Sequence, residues 1–100
     1  MAVIMRIAPP GFTAVMYDEV IERLEDAGLG HPPGRLYHVC FGDEANLRIS
    51  DIWDSRESFE KFFETVAPMM QDLGIGPGEP EFYDVHNTIF GGQTTTSTSA

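Results

Sequence analysis

The chain alternates between segments with the apolar spacing of β-strands and segments with that of α-helices. Residues 2–8 are nearly all apolar, which is typical of a strand buried on both faces, and Pro-Pro-Gly follows them as a stop. Residues 35–41 and 47–53 read as the two arms of a hairpin, and residues 81–90 as a last strand. The pattern therefore predicts four strands.

An amphipathic helix is predicted after the first strand. Apolar residues recur at helical spacing over residues 16–27, and acidic residues occupy the opposite side. Thr13 is a suitable N-cap, and Phe12 and Tyr17 are spaced as a hydrophobic staple across the first turn. Gly28 is the predicted C-terminal cap.

A second helix is predicted after the hairpin. Asp54 followed three residues later by Glu57 has the character of a capping box. Pro68 should end or kink this helix near Ala67 because proline cannot donate the helical hydrogen bond. The predicted buried stripe consists of Phe59, Phe62, Phe63, Val66, Met70 and Leu73.

The order of elements predicts an α+β fold of the ferredoxin-like type, βαββαβ, with a four-stranded antiparallel sheet. Right-handed crossovers place strands one and three in the middle, two and four at the edges, and both helices on one face. Residues 1–90 form this single domain, and residues 91–100, which are almost without apolar side chains, are expected to be a disordered tail. The helix-free face carries apolar residues on every strand, so we expect a homodimer through it.

Composition and charge narrow the classes of partner. The formal net charge of −10 opposes binding to nucleic acid and to anionic membrane surfaces. A single cysteine, Cys40, excludes an internal disulfide and a thiolate zinc cage. The first residues lack the features of a signal peptide, and no apolar run has the length of a membrane span, so we expect a cytoplasmic protein.

The register of the predicted hairpin decides what His38 faces. If the connection is four residues long, His38 stands opposite Asp51, and Leu36 stands opposite Trp53 on the same face. A five-residue connection shifts the pairing by one and places His38 opposite Ser50. In the first register, a histidine held by a carboxylate beside a tryptophan is suited to act as a general base. The alternative is a hydrogen-bonded histidine of the core or the interface.

Other residues are candidates for supporting roles. His86 is a second acid/base candidate or part of the dimer interface, and Asn87 beside it is a candidate for substrate binding. The Tyr17 hydroxyl is either a donor to a pocket or the polar end of the staple. Asp84 and His86 have the spacing to share a metal with His38, but no dense ligand pattern supports a metal site. The aromatic stripe is core first and pocket lining second, and it includes Phe59, Phe62 and Phe63.

Several segments together resemble a known superfamily over about residues 1–90. They are the apolar first strand ending in Pro-Gly, the segment Asp51-Ile-Trp53-Asp-Ser55, the aromatic helix from Glu57 with Pro68 near its end, and the final Val85-His86-Asn87. This pattern is similar to the dimeric α+β barrel superfamily and, within it, to small proteins related to antibiotic biosynthesis monooxygenases. The resemblance implies homodimers whose sheets face each other, and a ligand cavity between the sheet and the helices of each subunit.

The superfamily includes cofactor-free oxygenases of aromatic polyketides, haem-degrading enzymes, cyclases and isomerases. Trp53 matches a pocket tryptophan of the haem-degrading members. However, Arg6 stands where they carry an asparagine, and the second helix has no histidine, which argues against a haem role. We therefore expect no cofactor.

The leading hypothesis is a small enzyme that acts on an apolar, aromatic or polyketide-like substrate by His-assisted proton abstraction. Cofactor-independent oxygenation, cyclisation and isomerisation share that first step, so the residues do not separate them. The alternative is a non-catalytic homodimer that binds a small molecule. In the catalytic hypothesis His38, Asp51 and His86 carry the chemistry. The substrate-binding residues are Tyr17, Trp53, Phe59, Phe62, Phe63 and Asn87.

Overall fold

The computed structural model describes residues 1–91, so the predicted tail from residue 92 onward lies outside the described residues. The elements are β1 (Val3–Ile7), α1 (Ala14–Asp26), β2 (Arg35–Asp43), β3 (Asn46–Trp53), α2 (Arg56–Asp72) and β4 (Glu81–Asp84). The strands form one antiparallel sheet in the order β2-β3-β1-β4. The predicted ferredoxin-like topology is confirmed, with β1 and β3 in the middle.

Both helices pack on one face of this sheet. The helix-facing residues of β1 are buried together with Trp53 of β3 and Phe59 of α2. A second cluster joins Val20 and Leu24 of α1 to Val66 and Met70 of α2, with Ile49 of β3 packed against it. The alternation of strand side chains thus directs one set of apolar residues to the helices and leaves the other set on the helix-free face.

The start and end of α1 follow the predicted capping pattern. The Thr13 side chain accepts a hydrogen bond from the backbone N–H of Met16 at 3.1 Å. The rings of Phe12 and Tyr17 meet edge to face with centroids 6.1 Å apart, as a hydrophobic staple requires. Gly28 has a φ of 74° just after the helix, a left-handed conformation that glycine adopts without steric cost. The staple matters for the site because it fixes the orientation of Tyr17.

The N-terminus of α2 differs from the prediction in its capping residue. Ser55, not Asp54, is the N-cap, and its side chain accepts from the backbone N–H of Ser58 at 3.2 Å. Glu57 therefore does not occupy the third helical position of a capping box. Asp54 instead accepts a hydrogen bond from the Ser58 hydroxyl at 2.6 Å. The N-cap thus lies one residue later than predicted. Asp54 and Ser55 both carry a side-chain oxygen that can cap a helix, so the sequence alone does not distinguish them.

The α2 helix continues through Pro68 to Asp72, so of the two expected effects of the proline, an end or a kink near Ala67, the end is wrong. Val66 and Met70 lie on either side of the proline, and both are buried in the same core cluster. Tertiary packing of these two side chains offsets the hydrogen bond that Pro68 cannot donate.

The hairpin has the register of the four-residue connection. His38 pairs with Asp51, and the ladder extends one pair further than predicted, to Asp43 and Asn46. The expected pairing of Leu36 with Trp53 is wrong, because an irregularity between Arg35 and Tyr37 makes Arg35 the partner of Trp53. Leu36 is 55% exposed as a result. A bulge of this kind re-aims the side chains that precede it.

The last strand is shorter than predicted. It ends at Asp84 instead of residue 90, and Asp84 pairs with Val3, the first residue of β1. One further backbone hydrogen bond joins Val85 N–H to Ala2 at 3.0 Å. His86 and Asn87 continue outside the sheet and are exposed.

No helix within residues 1–91 has the length and apolar content needed to cross a membrane.

Candidate active site

Four side chains form a continuous hydrogen-bonded chain on the helix-facing side of the hairpin. The Tyr17 hydroxyl lies 2.7 Å from Nε2 of His38. On the other side of the ring, Nδ1 of His38 lies 2.6 Å from Oδ1 of Asp51. The second carboxylate oxygen, Oδ2, accepts a hydrogen bond from Nε1 of Trp53 at 3.3 Å. The chain therefore runs from Tyr17 through His38 and Asp51 to Trp53.

Local structure explains why these residues meet. Asp51 and Trp53 are two residues apart on β3, so strand alternation directs both to the same face. His38 is opposite Asp51 in the ladder. Tyr17 reaches the site from the first turn of α1, where its ring stacks on the His38 ring with centroids 6.0 Å apart and an interplanar angle of 9°. Two hairpin strands and one helix thus hold the four hydrogen-bonded side chains in place.

The hydrogen bonds fix the direction of each proton. Among residues 1–91, Asp51 is the one charged side chain in the buried set, with 4% exposure. Its carboxylate has no proton to donate, so Nδ1 of His38 donates to it. In the neutral imidazole Nε2 of His38 is then an acceptor, and the Tyr17 hydroxyl donates to it.

Burial also affects the two weaker acids of the site. The pKa of Tyr17 is raised above its ordinary value of 10.0, chiefly because burial disfavours the charged phenolate. The pKa of the nearby Cys40 thiol is raised for the same reason. Tyr17 is therefore a neutral donor at physiological pH, and Cys40 is a neutral thiol without nucleophilic character.

A small apolar cavity of about 70 Å³ adjoins this chain beneath the two helices. His38, Asp51, Tyr17 and Arg35 contribute its polar lining, and apolar side chains, mostly of β1 and the two helices, supply the rest. Three predicted substrate-binding residues are in that apolar lining: Phe59, Phe62 and Phe63. The site therefore combines a histidine acceptor with an apolar wall.

Trp53 was expected to face the pocket but does not line it. The side chain is fully buried, with 0% exposure, between Asp51 and the aromatic residues of α2. Its ring centroid lies 5.8 Å from that of Phe59 and 5.6 Å from that of Phe62. Trp53 thus orients Asp51 from behind instead of contacting a ligand in the cavity.

The structure does not bring His86 and Asn87 to this site. Both are exposed beyond β4, at the opposite edge of the sheet from β2, which carries His38. The same separation prevents Asp84 and His86 from sharing a metal with His38. Within the described residues, no three histidine, cysteine or acidic side chains are grouped as metal ligands.

Sequence reasoning missed Arg35. Regular alternation would direct this residue to the helix-free face, but the bulge turns it to the helix side, where it lines the cavity. Its Nη2 donates to the carbonyl oxygen of Gly30 at 3.0 Å, and its guanidinium carbon lies 5.7 Å from the centre of the Phe62 ring. No local signal in the sequence announces the bulge.

Comparisons with known proteins agree with the fold. No family model and no curated protein matches the chain. Among solved structures, SnoaB, a cofactor-independent oxygenase from Streptomyces nogalater, is 12% identical with a TM-score of 0.60, over 88% of this chain and 95% of that one. The chain has the fold of the antibiotic biosynthesis monooxygenases.

Two further structures extend this likeness. A protein from Chloroflexus aurantiacus, proposed to be an antibiotic biosynthesis monooxygenase, is 19% identical with a TM-score of 0.63, over 90% of this chain and 98% of that one. A monooxygenase from the gene ActVA-Orf6 of Streptomyces coelicolor, solved in complex with nanaomycin D, is 15% identical with a TM-score of 0.60, over 89% of this chain and 91% of that one. At these identities the likeness is one of fold, and the chemistry must be argued from the site.

Proposed function

We propose that this protein is a small enzyme that removes a proton from an apolar, aromatic or polyketide-like substrate, with His38 as the base. The observation that carries the proposal is the chain from Tyr17 to His38 to Asp51 at the edge of an apolar cavity. Hydrogen bonds at both ring nitrogens hold the His38 side chain in place. The side chain is 21% exposed and lines the cavity. A general base needs both properties.

Asp51 and Trp53 prepare His38 for this role. The carboxylate accepts the Nδ1 proton and thereby leaves the lone pair of Nε2 available. When His38 takes up a proton, the adjacent negative charge stabilises the imidazolium that forms. The indole N–H of Trp53 holds the second carboxylate oxygen and so fixes the plane of the Asp51 side chain.

Tyr17 connects the substrate to His38. A substrate hydroxyl or activated C–H next to the Tyr17 oxygen would give its proton to that oxygen, while the Tyr17 proton passes to Nε2 of His38. The raised pKa of Tyr17 means that it transfers a proton without remaining as a phenolate. In this proposal His38 is therefore the final proton acceptor, and Tyr17 relays the proton to it.

The electron-rich anion that results has three possible fates. It can react directly with molecular oxygen, close a ring or isomerise, and each requires the same proton abstraction first. The oxygenase hypothesis draws support from the shared fold with a cofactor-independent oxygenase and with a monooxygenase that binds nanaomycin D. In this proposal the abstraction itself requires no cofactor.

Exchange of a ring proton for deuterium tests the base directly, without the natural substrate. In D₂O, the protein should accelerate exchange of the acidic ring C–H protons of 1,3-dihydroxynaphthalene, followed by proton NMR under nitrogen. His38→Gln and Asp51→Asn should each reduce the protein-dependent rate by about 10²-fold or more. Arg23→Gln, which removes a charge from the exposed side of α1, is the control and should exchange like the wild type.

The outcome separates the two hypotheses for function. If the compound binds but the wild-type exchange rate equals that of the His38→Gln variant, the base is absent, and the non-catalytic binding protein becomes the better hypothesis. Repeating the reaction in air, with oxygen uptake measured by electrode, distinguishes oxygenation from the other two fates.

We further propose a homodimer through the helix-free sheet face. Tyr37 and Tyr83 are 48% and 56% exposed at its two edges. Between them, alternation directs Ile4 and Ile52 to the same side. A face of this apolar character favours a second copy as its cover.

Basic and acidic groups line a groove at one end of the sheet: Arg6, Arg48, Glu79 and Glu81.

A further inference from the structure

A second cavity of about 380 Å³ lies next to the first, between the loop after α1 and the outer side of α2. Residues 28–33 of the loop form one wall, and Ser58, Lys61 and Thr65 of α2 form the other. Phe62 lines both cavities. The two spaces are therefore neighbours that share one side chain as a partition.

Arg35 stands at the same partition. Its guanidinium is 5.7 Å from the centre of the Phe62 ring, and its backbone N–H donates to Pro32 O at 3.3 Å, next to the second cavity. Neither side chain is fully buried. The inner cavity of about 70 Å³ is far below the roughly 300 Å³ that ligand pockets usually provide, whereas the outer one exceeds it. A bicyclic substrate that reaches Tyr17 therefore needs more space than the inner cavity provides, and displacement of Phe62 would connect it to the outer cavity.

The distribution of positive charge shows what the outer end of such a substrate would meet. The chain has six Lys and Arg residues against 16 Asp and Glu. Arg23 and Arg56 are paired with Glu19 and Glu60 on their own helices. Arg6 and Arg48 line the groove on the sheet. Of the two remaining cations, Arg35 lines the inner cavity and Lys61 lines the outer one, and Phe62 lines both.

Arg35 and Lys61 have N–H donors that are not used in ion pairs within the described residues. Within residues 1–91, neither Arg35 nor Lys61 forms an ion pair with a carboxylate. The Arg35 side chain makes one hydrogen bond there, to Gly30 O, although a guanidinium carries five N–H donors. Charge-assisted hydrogen bonds to a planar carboxylate would use the remaining donors. In a protein of net charge −10, the two cations without a carboxylate partner in residues 1–91 thus both line a cavity.

We propose that the substrate carries a carboxylate on its apolar body, and that Arg35 and Lys61 bind this group at the junction of the two cavities. The inference rests on the proposed function, because it assumes that the aromatic part of the ligand occupies the inner cavity beside Tyr17. It adds the class of substrate: an aromatic or polyketide-like acid, with its reactive end at Tyr17 and its acidic end at the mouth.

A matched pair of ligands tests the charge requirement. 1-Naphthaleneacetate and 1-naphthaleneacetamide have nearly the same shape and differ in charge. Isothermal titration calorimetry at low salt should give a dissociation constant about tenfold lower for the carboxylate than for the amide. Arg35→Gln and Lys61→Gln should each remove most of this preference, and Arg23→Gln should keep it. Lys61 is exposed, so its variant should fold even if the Arg35 variant does not.

Each outcome has a distinct meaning. Equal binding of both ligands, or a preference that survives in both the Arg35→Gln and Lys61→Gln variants, overturns the carboxylate proposal. The deuterium exchange of 1,3-dihydroxynaphthalene, which carries no carboxylate, then decides separately whether His38 still acts as a base. If neither naphthalene compound binds at millimolar concentration, the proposal of a substrate-sized apolar site is wrong as well.

Discussion

At the residue scale, Asp51 illustrates how a buried charge is accommodated. Isolated in an apolar interior, a carboxylate would be strongly destabilising, but here both oxygens accept N–H hydrogen bonds, from His38 and Trp53. Removing the charge leaves these donors with a weaker acceptor or none. Structural and proposed catalytic roles thus depend on the same carboxylate.

Asp51→Ala should lower the free energy of unfolding by about 1–3 kcal/mol, because it leaves the buried N–H of Trp53 and the partly buried N–H of His38 without an acceptor. Urea denaturation followed by Trp53 fluorescence measures this. Asp18→Ala, at an exposed position on α1, is the control and should change stability by less than about 0.5 kcal/mol. Equal effects of the two substitutions would contradict the hydrogen-bonded chain.

The raised pKa values of Tyr17 and Cys40 predict a loss of stability at alkaline pH. The folded state disfavours both charged forms, whereas the unfolded chain ionises near the ordinary values of 10.0 and 9.0. Their contribution to stability is therefore complete below about pH 8 and is lost as the pH rises through 9 and 10. Urea unfolding between pH 8 and pH 10.5 should show the decline.

The double variant Tyr17→Phe, Cys40→Ala lacks both ionisable groups, so its stability should fall less steeply over the same pH range. Because the remaining charges are unchanged, general repulsion in this acidic chain affects both proteins alike. Parallel curves for wild type and variant would show that burial of the two groups does not govern the decline.

At the scale of elements, α2 is unusual because it contains a proline within the helix. Pro68 lies within the helix at an exposed position. Because proline has no backbone N–H, it cannot donate the helical hydrogen bond to the carbonyl oxygen four residues earlier. Burial of Val66 and Met70 keeps the helix continuous despite this cost. The helix therefore tolerates a residue that its own backbone disfavours.

Pro68→Ala should stabilise the protein by about 1–3 kcal/mol, because it restores a helical N–H donor and removes the steric conflict of the ring. Thermal unfolding followed by circular dichroism measures the gain. Gln71→Ala, an exposed substitution on the same helix, should change stability only slightly. A loss of stability in Pro68→Ala would mean that the proline ring makes a favourable contact of its own.

At the scale of the whole molecule, the helix-free face bears on assembly. If a second copy covers this face, sedimentation equilibrium at micromolar concentration should give twice the chain mass of 11.1 kDa. Ile52→Asp places a charge at the centre of the face and should yield monomers. Val15→Asp, on the 79% exposed outer side of α1, is the control and should remain dimeric. A wild-type monomer would overturn the proposed assembly.

Short-range patterns were sufficient for the elements and their order, and they limited the hairpin to two registers. Strand and helix periodicity, the Thr13 cap and the length of the connection all depend on residues close in the chain. The structure selects the register of the four-residue connection, in which His38 pairs with Asp51 instead of Ser50. The elements and their order could therefore be predicted before any tertiary contact was known, whereas the choice between the two registers could not.

Tertiary packing decided the details that shape the site. The bulge at Leu36 brings Arg35 to the cavity, and the burial of Trp53 behind Asp51 removes it from the lining. The last strand ends at Asp84, paired with Val3, which leaves His86 outside the sheet. Each outcome depends on which distant segments compete for the same space and the same hydrogen bonds, and the spacing of residues along the chain carries no record of that competition.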